Sequence, residues 1–367
     1  MLYNLQFIPD HPVYRLNEAV GYFLEHGINR DRFNGDCYPD WFVPVVDAAP
    51  TLKKKFRKVF RKSSEVSQAV RDSIARVWRG NQDIQRLCES NRTRIQPWGF
   101  NNEKLCEALA ELLDFLYEET LKKSVTFTEV VGGSLQHHYA SFLALGQTVC
   151  PFCGLSDYVD AQSGSRSGYD HYLNRMYYPL AAVNFRNLVP MCDDCNEAPR
   201  KGIKDVLFAD PQRTTRRKFF YPFGANAGIS LVTTCTQQPA PGNLGNWGVR
   251  IRGKRASEQA QVTGWVSVFG INTRYPAKIR QGVERWVKDF LNSRQYPNKP
   301  TVSRLRRDFA SKASWLAQPE QTRTLAQSAL QAAAFHYLAN RAPNPVITGW
   351  AEIAMSPAVR GIPAALN

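Results

Sequence analysis

The chain has 367 residues, enough for two or three domains with sizeable cores and too long for a minimal zinc finger. Its 47 Lys and Arg against 32 Asp and Glu leave a formal charge of +15 and a pI near 9.5, which favours a polyanionic partner, nucleic acid ahead of an anionic membrane surface. With no run of 18 apolar residues and no signal-peptide pattern in residues 1–10, the expectation is a soluble, cytoplasmic protein without membrane insertion.

Residues 1–145 read as a mainly helical, basic region for DNA or partner binding. Two helices are predicted between residues 51 and 78, the first carrying Lys53, Lys54, Lys55, Arg57, Lys58, Arg61 and Lys62 with no acid among them. Ser63-Ser64-Glu65 interrupts the basic run and can cap the second helix. A run of this kind is ordinarily a solvated face. Phe56 and Phe60, four residues apart, nevertheless give it an apolar side for docking, which would turn the charges outward toward a phosphate backbone. Lys53, Lys54, Lys55 and Arg57 are the candidate nucleic-acid contacts. Over residues 102–123, Leu105, Leu109, Leu112 and Leu116 recur at helical spacing while Glu103, Glu107, Glu111 and Glu118 take other faces. Gly132-Gly133 breaks that pattern, and a short helix is predicted over 134–145. Its His137 and His138 point apart and have no carboxylate at matched spacing, so they are assigned to packing or solvent.

Residues 146–224 are rich in Tyr, Asp, Asn and Cys and poor in long apolar periods, as expected of a segment that leans on a metal for its core. Residues 225–367 form an accessory region that mixes strand and helix. Strands are predicted over 229–234 and 247–252, separated by a Pro and Gly loop at 237–245, and helices over 275–291 and 302–340. A second scatter of cations, including Arg250, Arg252, Lys254 and Arg255, lies in this region. The fold class is therefore α+β.

The central segment holds Cys150, Cys153, Cys192 and Cys195 in two Cys-x-x-Cys pairs. One such pair would leave redox chemistry open. Two of them supply the four thiolates of a tetrahedral Zn²⁺ site, closed to water and therefore structural. The other cysteines, Cys37, Cys88, Cys106 and Cys235, are scattered as free thiols would be in a reducing compartment. Any catalytic metal must then lie elsewhere, and Asp170-His171, between the pairs, sets a hard oxygen ligand beside an imidazole base.

Tyr169-Asp170-His171-Tyr172, the stretch Asn184-Phe185-Arg186-Asn187-Leu188-Val189-Pro190 and the run from Cys195-Asn196 to Lys201-Gly202 together resemble the HNH, or ββα-metal, endonucleases. The resemblance covers about 55 residues, 150–204. It implies a zinc-stapled ββα core in which Asp170 and Asn196 hold a catalytic Mg²⁺ or Mn²⁺, His171 activates water, and Asn187 holds the imidazole through its backbone carbonyl. Asn184 is a nearby competitor that fits the pattern less well. Asn196 stands where the family name has its last histidine, which favours Mg²⁺ over softer ions. Arg200 and Lys201, on the helix expected after Asn196, would contact phosphate. The implied activity is metal-dependent hydrolysis of DNA phosphodiester bonds. The sequence is also similar to HNH effectors of bacterial anti-phage operons such as Septu and Zorya, which implies an ATPase or motor partner; a restriction or mobile-element nuclease carries the same motif. The alternative from another class is a non-catalytic, zinc-stabilised nucleic-acid-binding protein.

Overall fold

In the computed structural model the described residues are 1–95, 100–163, 165–225, 229–237 and 245–356. Helices dominate, with two small antiparallel sheets of two strands each. The architecture is thus α+β, divided into two compact units.

One unit comprises Asn4–Gln147 and Tyr158–Ala225. Its N-terminal part contains α1 (Arg15–Glu25), α2 (Val43–Asp47), α3 (Pro50–Ser64), α4 (Gln68–Gln82) and α5 (Ile84–Glu89). Helix α3 forms where the basic run was read, and Leu52, Phe56 and Val59 are its buried apolar stripe. Phe56 meets Phe23 and Tyr38 edge-on, with ring centroids 4.8 and 4.9 Å apart. Helix α3 ends at Ser64 with Glu65 as its C-cap, within the stretch read as the interruption, but Ser63 donates its hydroxyl back to Val59 O and the N-cap position of α4 falls to Ser67. Helix α6 (Glu103–Phe115) is capped by Asn102, whose side chain accepts from Leu105 N, and buries Leu105, Leu109 and Leu112. Each such leucine contributes about 1.5–3 kcal/mol of burial. The leucine ladder continues into a π-helical turn, Leu116–Leu121, which buries Leu116, Tyr117, Thr120 and Leu121 together. A turn of this kind shifts the register of the buried face and so brings Tyr117 inward. Helices α7 (Val125–Val131) and α8 (Leu135–Ala144) follow, separated at Gly132, whose φ of +77° is the left-handed geometry glycine tolerates.

The same unit carries β1 (Tyr169–His171) and β2 (Leu188–Pro190), paired so that Asp170 faces Val189 and His171 faces Leu188. One turn of helix, α9 (Asp193–Asn196), comes next. It was expected to continue through Arg200 and Lys201 but stops at Asn196. Pro199 lacks an N–H and disfavours helical geometry at Ala198, so the chain leaves in an extended conformation at Glu197.

The other unit comprises Met1–Tyr3, Thr148–Asp157 and the described residues of Asn226–Asn367. It contains β3 (Ile229–Gln237) and β4 (Asn246–Gly253), then α10 (Gln259–Phe269), α11 (Ile271–Arg294), α12 (Val302–Leu316), α13 (Pro319–Thr324), α14 (Ser328–Asn340) and α15 (Asn344–Ile353). The predicted strands form where they were read and α11 covers the helix predicted over 275–291, whereas 302–340 divides into α12, α13 and α14; residues 238–244 of the Pro and Gly loop lie outside the described residues. One face of the β3 and β4 ribbon packs on α11 and α14, with Trp247 edge-on to Tyr337 at 5.3 Å and Thr233 Oγ1 donating to Ala333 O at 2.9 Å. The turn around Cys150 and Cys153 is held in this unit by Trp265 Nε1, which donates to Phe152 O, and Tyr275 Oη, which donates to Cys153 O, both at 2.8 Å. No helix among the described residues is long and apolar enough to cross a membrane.

Candidate active site and four-cysteine cluster

The sulfur atoms of Cys150, Cys153, Cys192 and Cys195 all lie within 4.8 Å of one another, and all four residues are buried. Four thiolates at that spacing can hold a structural metal such as Zn²⁺. Local backbone explains each pair. Gly154 N donates to Cys150 O at 2.7 Å, and Gly154 itself has φ +64° in a place where a Cβ would lie 2.1 Å from Leu2 Cδ1. A side chain there would be strained and would push Leu2 aside. In the second pair the amides of Cys195 and Asn196 both donate to Cys192 O at 2.9 Å. Among the remaining cysteines, Cys37 and Cys88 are buried, and burial pushes both thiols up from their ordinary values.

Asp170, His171 and Asn196 line one pocket of about 360 Å³, together with Tyr117, Glu118, Arg175 and Lys201. His171 Nε2 lies 2.9 Å from Ala182 O. A carbonyl can only accept, so Nε2 carries the proton and Nδ1 is left with the lone pair. The imidazole meets the Tyr117 ring edge-on, centroids 4.3 Å apart, and desolvation drives its pKa down to about 3 against a smaller opposing contribution from the Ala182 carbonyl. The imidazole is therefore neutral at physiological pH.

Asn187 was expected to present its own carbonyl to the imidazole. That carbonyl instead accepts from Tyr172 N at 2.9 Å. The fully buried Asn187 side chain accepts from Leu173 N at 2.7 Å and donates to Leu173 O and Ala181 O at 3.0 and 3.2 Å. It thus closes the loop that delivers the neighbouring Ala182 carbonyl, and acts on His171 at one remove. Asn184 is engaged elsewhere, with its amide donating to Gln82 Oε1 at 2.8 Å.

Lys201, expected at a phosphate, is buried against Asp170. Its Nζ donates to Asp170 Oδ1 at 3.0 Å, to His171 O at 2.8 Å and, weakly, to Gly202 O at 3.5 Å. Asp170 Oδ2 lies 2.9 Å from the same nitrogen, so the ammonium faces both carboxylate oxygens. Burial pushes the Asp170 carboxyl above its usual range, with Lys201 opposing. Asn196 lies beside Gly168, where a Cβ would come within 3.0 Å of Asn196 Nδ2. A buried carboxylate and a side-chain amide in one pocket are the donor types a hard divalent cation takes, with Lys201 as the competing positive charge.

At the rim, Arg175 pairs with Asp114 and Glu118 at 2.7 and 3.0 Å, and Lys122 pairs with Glu118 at 2.7 Å. Tyr117, Glu118 and Arg175 had no local signal. Tyr117 falls off the leucine ladder by one residue, and Arg175 follows the motif without belonging to it. Arg200 is half-buried with Nε 4.0 Å from Asp194. The α3 cations are partly neutralised: Lys53 by Asp47 at 2.7 Å, Lys55 and Lys58 by Glu111 at 3.7 and 2.9 Å, and Lys62 by Glu65 at 2.6 Å. Lys54 is exposed, and Arg57 lies over the Phe33 ring at 5.3 Å.

His138 is buried, as packing required, and fully bonded. Tyr14 Oη spends its proton on Ile8 O at 2.7 Å, so His138 Nε2 donates to Tyr14 Oη at 3.0 Å and its Nδ1 accepts from Tyr169 Oη at 2.5 Å. Burial lowers its pKa to about 3.

No family model, curated protein or solved structure matches this chain.

Proposed function

We propose that the protein is a metal-dependent DNA endonuclease of the HNH kind, with a structural zinc on Cys150, Cys153, Cys192 and Cys195 and a short ββα core formed by β1, β2 and α9. The observation that carries this reading is the His171 tautomer. An imidazole whose Nε2 proton is committed to Ala182 O offers Nδ1 as a proton acceptor, in the same pocket as the Asp170 carboxylate. In this mechanism His171 takes the proton of the attacking water, Tyr117 excludes bulk solvent from one side of the ring, and Asn187 keeps the Ala182 carbonyl in place. Mg²⁺ or Mn²⁺ on Asp170 and Asn196 would stabilise charge on the phosphate and the leaving oxygen. Lys201 holds the Asp170 carboxylate in position.

The test is nicking of supercoiled plasmid by purified protein with Mg²⁺ or Mn²⁺, with His171→Ala alongside. Loss of nicking in the variant supports the assignment; a wild type that never nicks under either metal removes the activity. One observation favours the alternative of a non-catalytic binding module: the Lys201 ammonium already compensates Asp170. That reading predicts DNA binding without cleavage, indifferent to His171→Ala. The resemblance to anti-phage effectors leads us to propose a bacterial defence setting with an ATPase or motor partner, tested by co-purification with the products of adjacent genes.

A further inference from the structure

From Pro211 to Ser257 the chain has no Asp or Glu, yet it carries Arg213, Arg216, Arg217, Lys218, Arg250, Arg252, Lys254 and Arg255. The last four run along and just beyond β4. The register of the ribbon sorts its side chains cleanly. Thr233 and Trp247 face the helices, and strand alternation puts Ile229, Leu231, Val249 and Ile251 on that same side. The opposite side presents the pairs Ser230 and Arg252, Val232 and Arg250, and Thr234 and Gly248. Ser230, Thr234, Arg250 and Arg252 are exposed. No acid pairs with Arg250, Arg252 or Lys254 among the described residues, in contrast to the α3 cations. Gly248 keeps this side flat because a Cβ there would lie 2.7 Å from Thr234 Oγ1.

We propose that this outer face of the β3 and β4 ribbon is a docking surface for duplex DNA. The proposal gives the substrate of the nuclease reading a second point of attachment, and rests on that reading for the choice of DNA over other polyanions. Charge complementarity selects the occupant: two unpaired guanidiniums and two hydroxyls, without a carboxylate, suit a phosphate backbone. The dimensions agree. Residues two apart on a strand are separated by about 6.8 Å, close to two nucleotide rises of roughly 3.4 Å along one DNA strand. A two-stranded ribbon also fits the major groove, about 12 Å wide. Arg250 and Arg252 would hold one strand, with Ser230 and Thr234 donating to adjacent phosphates.

The test is fluorescence anisotropy of a labelled random-sequence duplex with the full chain, without added divalent metal, as a function of salt. Arg250→Glu/Arg252→Glu should weaken binding at least about tenfold and reduce the log–log salt slope by roughly 2, the contribution of two phosphate contacts. Arg250→Lys/Arg252→Lys should restore most of the affinity, since charge rather than bidentate base reading is required, and circular dichroism checks that both variants fold. Unchanged affinity and slope in the glutamate variant overturn the proposal, as does equal or tighter binding of single-stranded DNA or double-stranded RNA by the wild type. His171→Ala separates the two claims. A wild type that fails to nick but binds duplex through Arg250 and Arg252 sinks the nuclease and leaves the ribbon; nicking that survives with ribbon-independent binding does the reverse.

Discussion

Lys201 Nζ lies 2.9 Å from Asp170 Oδ2 and 3.0 Å from Oδ1, with the lysine side chain 1% and the aspartate 6% exposed. Two opposite charges withdrawn this far from water depend on each other. Removing one partner strands the other, at a cost of about 3–5 kcal/mol, whereas replacing both with uncharged groups of similar volume is often close to neutral.

Lys201→Met should therefore destabilise the protein by about 3–5 kcal/mol, and Asp170→Asn/Lys201→Met should recover much of that loss. Urea denaturation of the two variants measures the difference. A Lys201→Met protein as stable as wild type would show that the pair is not what holds this pocket.

His171→Ala and Asn187→Ala should fail in different ways. Loss of the base should cut the nicking rate by about 10²- to 10⁴-fold with little change in melting temperature. Loss of the Asn187 amide leaves Leu173 and Ala181 backbone groups unsatisfied, at about 1–3 kcal/mol each, so stability should fall together with activity. Comparable melting temperatures for the two variants would count against the loop-closing role of Asn187.

Acid should destabilise the fold through His138. Its folded pKa is depressed to about 3, while in the unfolded chain an imidazole titrates near about 6.5. Between those values the unfolded state binds the extra proton. Stability from this residue is therefore complete above about pH 6.5 and is lost as the pH falls toward 3. His171, also depressed to about 3, adds to the same slope. Melting temperature against pH should flatten in His138→Gln; an unchanged slope would assign the acid sensitivity to other groups.

One zinc per chain is expected by elemental analysis, and Cys153→Ser or Cys192→Ser should lose both the metal and several degrees of melting temperature. Retention of stoichiometric zinc in both variants would move the metal away from the cluster.

Gly168→Ala should disturb the cation more than the fold. A methyl 3.0 Å from Asn196 Nδ2 forces the amide to move by a few tenths of an ångström, which should raise the Mg²⁺ or Mn²⁺ concentration needed for half-maximal nicking. Stability should change by less than about 1 kcal/mol, as is usual away from cores and buried networks.

What could be read along the chain was whatever is written locally. Cysteine spacing revealed the four-cysteine cluster, the leucine ladder of α6 revealed its buried stripe, and strand-like runs on either side of a Pro and Gly loop revealed β3 and β4. Relationships between distant residues left no such trace. Nothing near Lys201 marks it as buried, because its burial comes from Asp170, a residue 31 positions away. The exposed face inferred for α3 overlooked Asp47, Glu65 and Glu111, of which only Glu111 is distant in sequence. Short α9 was legible at its start but not at its end, where Pro199 outweighs the helical expectation.

The group that sets the protonation of His171 belongs to the main chain of Ala182. Alanine scanning passes over it, since the residue is already alanine and the oxygen survives every side-chain replacement. Its influence is reached only by editing the backbone, for example with an ester in place of the following amide, which would weaken this carbonyl as an acceptor. The imidazole would then be freer to exchange its proton between nitrogens. Nδ1 of His171, the proposed proton acceptor, would then be able to act as a donor with every side chain unchanged.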